Sequence, residues 1–176
     1  MRATRMGQTT AMTSSPAAVV EVRHWLSKLP WPVAFILSAA AMLAGPVLLS
    51  IGAVDPPQVQ AADGAMKAAP AWLLLLVGAL VPALEAIVWC MGFIEGAHFV
   101  ARRPALGALL GAMAYGVAYH HAYDLRTIAA ATWVAAVINV SYLALREQSR
   151  GKALLWAIGL RWVFAGLGVL SYRGII

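Results

Sequence analysis

The chain is poor in charge. Only 11% of its 176 residues are Asp, Glu, Lys or Arg, and seven of those are acidic. A soluble domain carries about a quarter charged residues, so this composition cannot build an ordinary water-facing surface. There is one cysteine, Cys90, which excludes an internal disulfide and any multi-cysteine metal site. No lipidation motif is expected, since the chain starts Met-Arg rather than Met-Gly and ends Gly-Ile-Ile. No serine lies in a nucleophile-elbow context, which leaves Ser-His-Asp catalysis without support. Nor is there a stripe of Lys and Arg with interleaved aromatics, so nucleic acid is not an expected partner.

Apolar residues fill the space. They make up 62% of the chain, and the mean hydropathy is +0.77. A chain of this length cannot hide them all in one core, so membrane lipid must face much of the surface. Crossing about 30 Å of hydrocarbon takes roughly 20 residues. Five apolar runs approach that length: Trp31 to Val54, Ala71 to Val100, Pro104 to His121, Thr127 to Leu145 and Ala153 to Leu170. The expected fold is an all-α, polytopic membrane helical bundle of about five transmembrane helices. Residues 1–30 form a cytoplasmic N-terminal segment and 31–176 the transmembrane domain.

The thirteen basic residues set the orientation. Arg2, Arg5, Arg23, Lys28, Arg102, Arg103, Arg146, Arg150 and Lys152 fall on one side of the five-run arrangement. Lys67, Arg126 and Arg173 fall on the other, with Arg161 inside the last run. The positive-inside rule then puts the N-terminus in the cytoplasm of a multi-pass protein of the inner (plasma) membrane. Residues 1–16 read as disordered. Residues 17–29 fit either a basic amphipathic helix on the membrane face or an extension of the first span. That first span reads as an uncleaved anchor.

Ionisable groups inside a membrane are costly, so each needs a partner or a task. Glu85, Glu95 and His98 lie in the second run, His120 and His121 end the third, and Arg161 lies in the fifth. Asn139 in the fourth is polar but uncharged. Glu85 and His120 are each seventeen residues from the Arg102-Arg103 turn, so at about 26 Å from it they share a depth. A buried Glu85–imidazole pair is the expectation. Glu95 and Arg161 are expected to pair nearer the cytoplasm as a structural contact, with Asn139 at a similar level. Metal binding by the Glu95-x-x-His98 pair is not expected, because it makes only half of a di-iron motif. One carboxylate beside two adjacent histidines does not converge on zinc either.

Two Gly-x-x-x-Gly patterns, Gly92/Gly96 and Gly107/Gly111, flank the same turn and predict close packing of that hairpin. At 100° per residue, Glu85 shares the Gly92/Gly96 face. Tyr115, Tyr119 and Tyr123 recur every fourth residue and, with the histidines, also fit an interfacial belt. Trp89, Trp133, Trp156 and Trp162 read as lipid-facing or packing residues.

At these residues the chain resembles the CPBP (CAAX-protease and bacteriocin-processing, or Abi) family of intramembrane proteases. VPALEAIVWCMGFIEG is similar to the family's Glu-Glu-x-x-x-Arg helix, with Glu85 at a motif glutamate. AMAYGVAYHH is similar to its Phe-x-x-x-His motif. The likeness spans about residues 75–170. Ala86 replaces the second glutamate, Cys90 the arginine, Tyr115 stands five residues before His120, and Arg161 takes the place of a later histidine. The resemblance implies a glutamate-dependent hydrolase in which Glu85 activates water and His120 or His121 positions it, acting on a membrane-associated peptide substrate. It equally accommodates a degenerate, non-catalytic relative. The other reading is a membrane scaffold or partner subunit whose buried polar residues specify helix packing. No cofactor is implied.

Overall fold

The computed structural model describes residues 17–50, 64, 67–120 and 124–172. Its described residues are helical almost throughout, with no strand among them. Apart from short helical pieces at residues 64 and 67–68, they form six helices. These are α1 (Ala17–Lys28), α2 (Trp31–Ser50), α3 (Ala71–Ala101), α4 (Pro104–His120), α5 (Leu125–Leu145) and α6 (Arg150–Tyr172). Four of them, α2, α3, α5 and α6, are long and apolar enough to cross a membrane, while α4 is apolar but shorter. At 1.5 Å per residue, α4 is about 25 Å long, against five spans expected from hydropathy.

Prolines and turn chemistry set the boundaries. Pro30 separates α1 from α2 and its carbonyl accepts from the N–H of Ala34 at 3.0 Å. Ala17–Lys28 is therefore a helix of its own, and it packs on α5 with Val19 buried. Pro70 caps α3 with its carbonyl, to Leu73 at 3.0 Å and Leu74 at 3.2 Å. Between α3 and α4, Arg102 adopts the left-handed region, φ 56° and ψ 24°. That conformation usually belongs to glycine at a helix C-terminus, and Pro104 then opens α4 where its missing N–H costs nothing. Asp124 starts α5 by accepting from the Thr127 N–H at 2.8 Å.

Helix α5 is the hub. It packs against α1, α2, α4 and α6, and the buried face includes Ala131, Val134, Ala135, Ile138 and Ala144. The alanines among them let neighbouring backbones approach, the usual basis of packing where lipid removes the hydrophobic drive between helices. Outward-facing Leu75, Leu80, Leu109 and Leu155 are exposed, as expected where hydrocarbon is the solvent.

Helix α3 is not α-helical throughout. Residues Ala86–Gly92 form a π-helical segment, four residues after Pro82, which lies inside the helix. Pro82, Ala86, Cys90 and Ile94 are all buried. An α-helix keeps one face by alternating steps of three and four residues, so three successive four-residue steps would drift by about 120°. The wider π turn absorbs one extra residue and holds the stripe against the bundle.

Two tryptophans tie the helices through their indole N–H groups. Trp133 of α5 donates to Ala41 O at 2.9 Å and Trp162 of α6 to Ala79 O at 2.9 Å. Both carbonyls lie in the turn before a helical proline, Pro46 or Pro82. Gly45 is obligatory beside the first of these, because a Cβ there would collide with the Trp133 ring.

Candidate functional site

Two clusters of charge are built into the bundle. In the first, Arg161 Nη1 of α6 donates to Glu85 Oε2 of α3 at 2.8 Å. The side chains are only 3% and 13% exposed. The guanidinium also lies 4.5 Å over the Tyr115 ring of α4, a cation–π contact strengthened by exclusion of water. Tyr115 meets Trp89 edge-on at 6.2 Å, and Trp89 stacks on Phe93 at 5.6 Å. Three helices thus meet on one arginine. Its Nε and Nη2 are buried without a hydrogen-bond partner among the described residues.

In the second cluster Glu95 of α3 is saturated. Arg146 grips it with a two-pronged fork, Nε to Oε1 at 2.9 Å and Nη2 to Oε2 at 2.9 Å. The Tyr142 hydroxyl donates to Oε1 at 3.1 Å, and Arg150 Nη2 lies 3.5 Å from Oε2. Hydrogen bonding to Glu95 holds the Arg146 guanidinium above its ordinary pKa. Tyr142 and Arg146 are one helical turn apart, so α5 presents both to the same carboxylate. Nearby, Arg23 of α1 pairs with Glu147. The α1, α3/α4 and α5/α6 ends therefore share one end of the bundle.

These geometries revise the expected pairs. Glu95 pairs with Arg146 rather than Arg161, and Arg161 belongs to Glu85. Arg146, read from sequence as a topology-setting loop charge, is an interior partner with 8% exposure. Sequence held one signal for it, the Tyr142–Arg146 spacing beside a membrane glutamate. The side chain of His120 and the whole of His121 lie outside the described residues, as do Tyr123 and the Tyr119 side chain, so the Glu85–imidazole pair falls there. The helical register does bear on depth. Gly107 backs onto Phe93 and Ile94, and Gly111 onto Trp89, which continues to Tyr115 near the level of Glu85. His120 is five residues farther along α4, about 7.5 Å. The offset is already present at Gly107 and Phe93, between the π segment and the turn, so it arises where α3 passes into α4 through Arg102–Pro104. Tyr115, placed in an interfacial belt, is instead buried at 6% exposure.

The two glycine pairs also differ. A Cβ on Gly111 would meet the Trp89 carbonyl and stand 3.2 Å from Asn139 Nδ2. Gly96 has nothing within 4 Å and Gly92 is exposed. Thus Gly107/Gly111 supplies the close approach, against Trp89, Phe93, Ile94 and Ala97, while Gly92/Gly96 lies off the packed face. Asn139 Nδ2 donates to Ala108 O at 2.9 Å, joining α5 to α4, while its Oδ1 is buried without a partner among the described residues. His98 Nδ1 is likewise unpartnered among the described residues. Among the described residues no group of three or more His, Cys, Asp or Glu gathers as a metal site.

Comparisons with protein-family models, curated proteins and solved structures return no match. The chemistry must be read from the two clusters themselves. Each carboxylate inside α3 is neutralised by an arginine from another helix, and each pair joins helices far apart in sequence.

Proposed function

We propose that this chain is a non-enzymatic integral membrane scaffold or complex subunit, whose buried ion pairs specify how its helices pack. The carrying observation is that both carboxylates within α3 are held by guanidinium groups, Glu85 by Arg161 and Glu95 by Arg146. A carboxylate bound to arginine is a weak acceptor for the proton of an attacking water, whereas it is well suited to fixing which helices meet. The arginine-rich end supports placement in the inner (plasma) membrane with α1 at the cytoplasmic face.

A double-mutant cycle tests this reading. Glu85→Gln and Arg161→Gln should each destabilise the detergent-solubilised bundle by about 3–5 kcal/mol, because each strands a buried charge. The double variant should recover a substantial part of that loss. Additive losses would rule out the packing role.

One observation favours a second reading, the divergent CPBP-like peptidase. Among the described residues Glu85 Oε1 accepts no hydrogen bond, and Arg161 has two unused donors beside it. A base and an oxyanion-binding cation need such free positions. On that reading, the purified wild-type chain cleaves a membrane-associated peptide and Glu85→Gln abolishes the cleavage.

A further inference from the structure

Between α3 and α4 an apolar groove opens toward lipid, with a volume of about 770 Å³. Gly92, Gly96 and Gly107 line it together with Val88, Val100 and Leu110. It extends from Ile87 to Ala101 along α3, roughly 20 Å of helix, which exceeds the ~15 Å of one leaflet. It is also smooth at its centre, since nothing lies within 4 Å of the Cβ that Gly96 lacks.

The lining of the groove stops at Ala101 on α3, next in sequence to Arg102 and Arg103 of the turn. Both are exposed, and neither makes an ion pair among the described residues. Arg102 keeps its side chain at a backbone conformation that glycine adopts without cost. Strain held at an exposed cation points to a use for that cation. Two unpaired positive charges at the mouth of an acyl-width slot complement a negative headgroup joined to a hydrocarbon tail. A second copy of this chain fits less well, since a two-fold contact through the groove would bring both Arg102-Arg103 pairs together.

We infer that the α3–α4 groove binds an anionic phospholipid, with an acyl chain along Gly92, Gly96 and Gly107 and the phosphate at Arg102 and Arg103. The test uses the purified full chain in mild detergent, titrated with phosphatidylglycerol or with phosphatidylcholine of identical chains. Melting temperature and native mass spectrometry report binding. Phosphatidylglycerol should raise the melting temperature and remain bound in the spectrometer, and phosphatidylcholine should do neither. An Arg102→Gly/Arg103→Gln variant suits the positive φ and should not lower the lipid-free melting temperature, while its apparent affinity for phosphatidylglycerol falls roughly thirtyfold, from about one unit of surface attraction per lost cation. Gly96→Leu fills open space in the groove and should weaken the same lipid without changing the protein's mass state. Equal responses to the two lipids would overturn the assignment. So would wild-type titrations by both variants, or conversion of a dimer to a monomer by Gly96→Leu, which would give the groove to a second copy.

Discussion

At the scale of single residues, identity and partner turned out to be separable. Glu85, Glu95, Asn139 and Arg161 stand out in the sequence because polar groups inside apolar runs are conspicuous, and all four are buried or nearly so. Their partners were not legible in the same way. An arginine reaches far enough to choose among several carboxylates, and the choice depends on which helix faces it. Arg146 illustrates this: its position just beyond an apolar run reads as a loop charge, yet its fork closes inward on Glu95. Asp124 offers a simpler case outside the membrane. Hydrogen bonds from the Thr127 hydroxyl and backbone N–H hold its carboxyl below the ordinary aspartate value. Because the folded value lies below the unfolded one, the charged cap stabilises the fold above the unfolded carboxylate range and loses that effect as pH falls through the folded value. Asp124→Asn keeps an acceptor but does not titrate. The gap in melting temperature between wild type and this variant should shrink between about pH 7 and about pH 3; a constant gap would deny the cap its charge-dependent part.

At the scale of elements, hydropathy located the helices well because lipid demands long apolar runs with all backbone groups paired internally. Helical phase was less readable, and α3 shows why. A seven-residue π segment leaves no compositional mark, yet it moves every later residue relative to those before it. Glycine spacing alone did not reveal the contact face either: Phe93, Ile94 and Ala97 meet α4 at Gly107, while Gly96 faces away. The buried stripe makes a specific prediction. Deleting Val88, an exposed residue inside the π segment, should convert it to α-helix and restore ordinary three-and-four spacing, leaving both ion pairs in place. Deleting exposed Leu80, in regular α-helix, should instead rotate the helix start by about 100° and break the Trp162–Ala79 bond. Thermal melts of the two deletions decide the matter: comparable losses would mean that the π turn carries no register function.

For the molecule as a whole, fold class was readable from composition alone, while the number of crossings is tied to α4. This helix is short, but it carries Tyr115 under Arg161 and the Gly107/Gly111 contact with α3, so it belongs to the bundle. With α4 crossing, α6 ends opposite the arginine-rich end. A reporter that works only in the cytoplasm, fused after Ile176, should then be silent; an active fusion would place α4 on one side and remove a crossing.

The single cysteine gives this architecture a practical consequence. Cys90 lies inside the π segment and is wholly buried, between the levels of the two ion pairs. A maleimide dye added to the native protein should find no reactive thiol, and labelling should rise in step with loss of the bundle during a denaturant titration. Labelling of Cys90 at full native stability would instead reveal local opening of α3. The chain thus contains one site-specific chemical clock, set at the element whose winding fixes the rest.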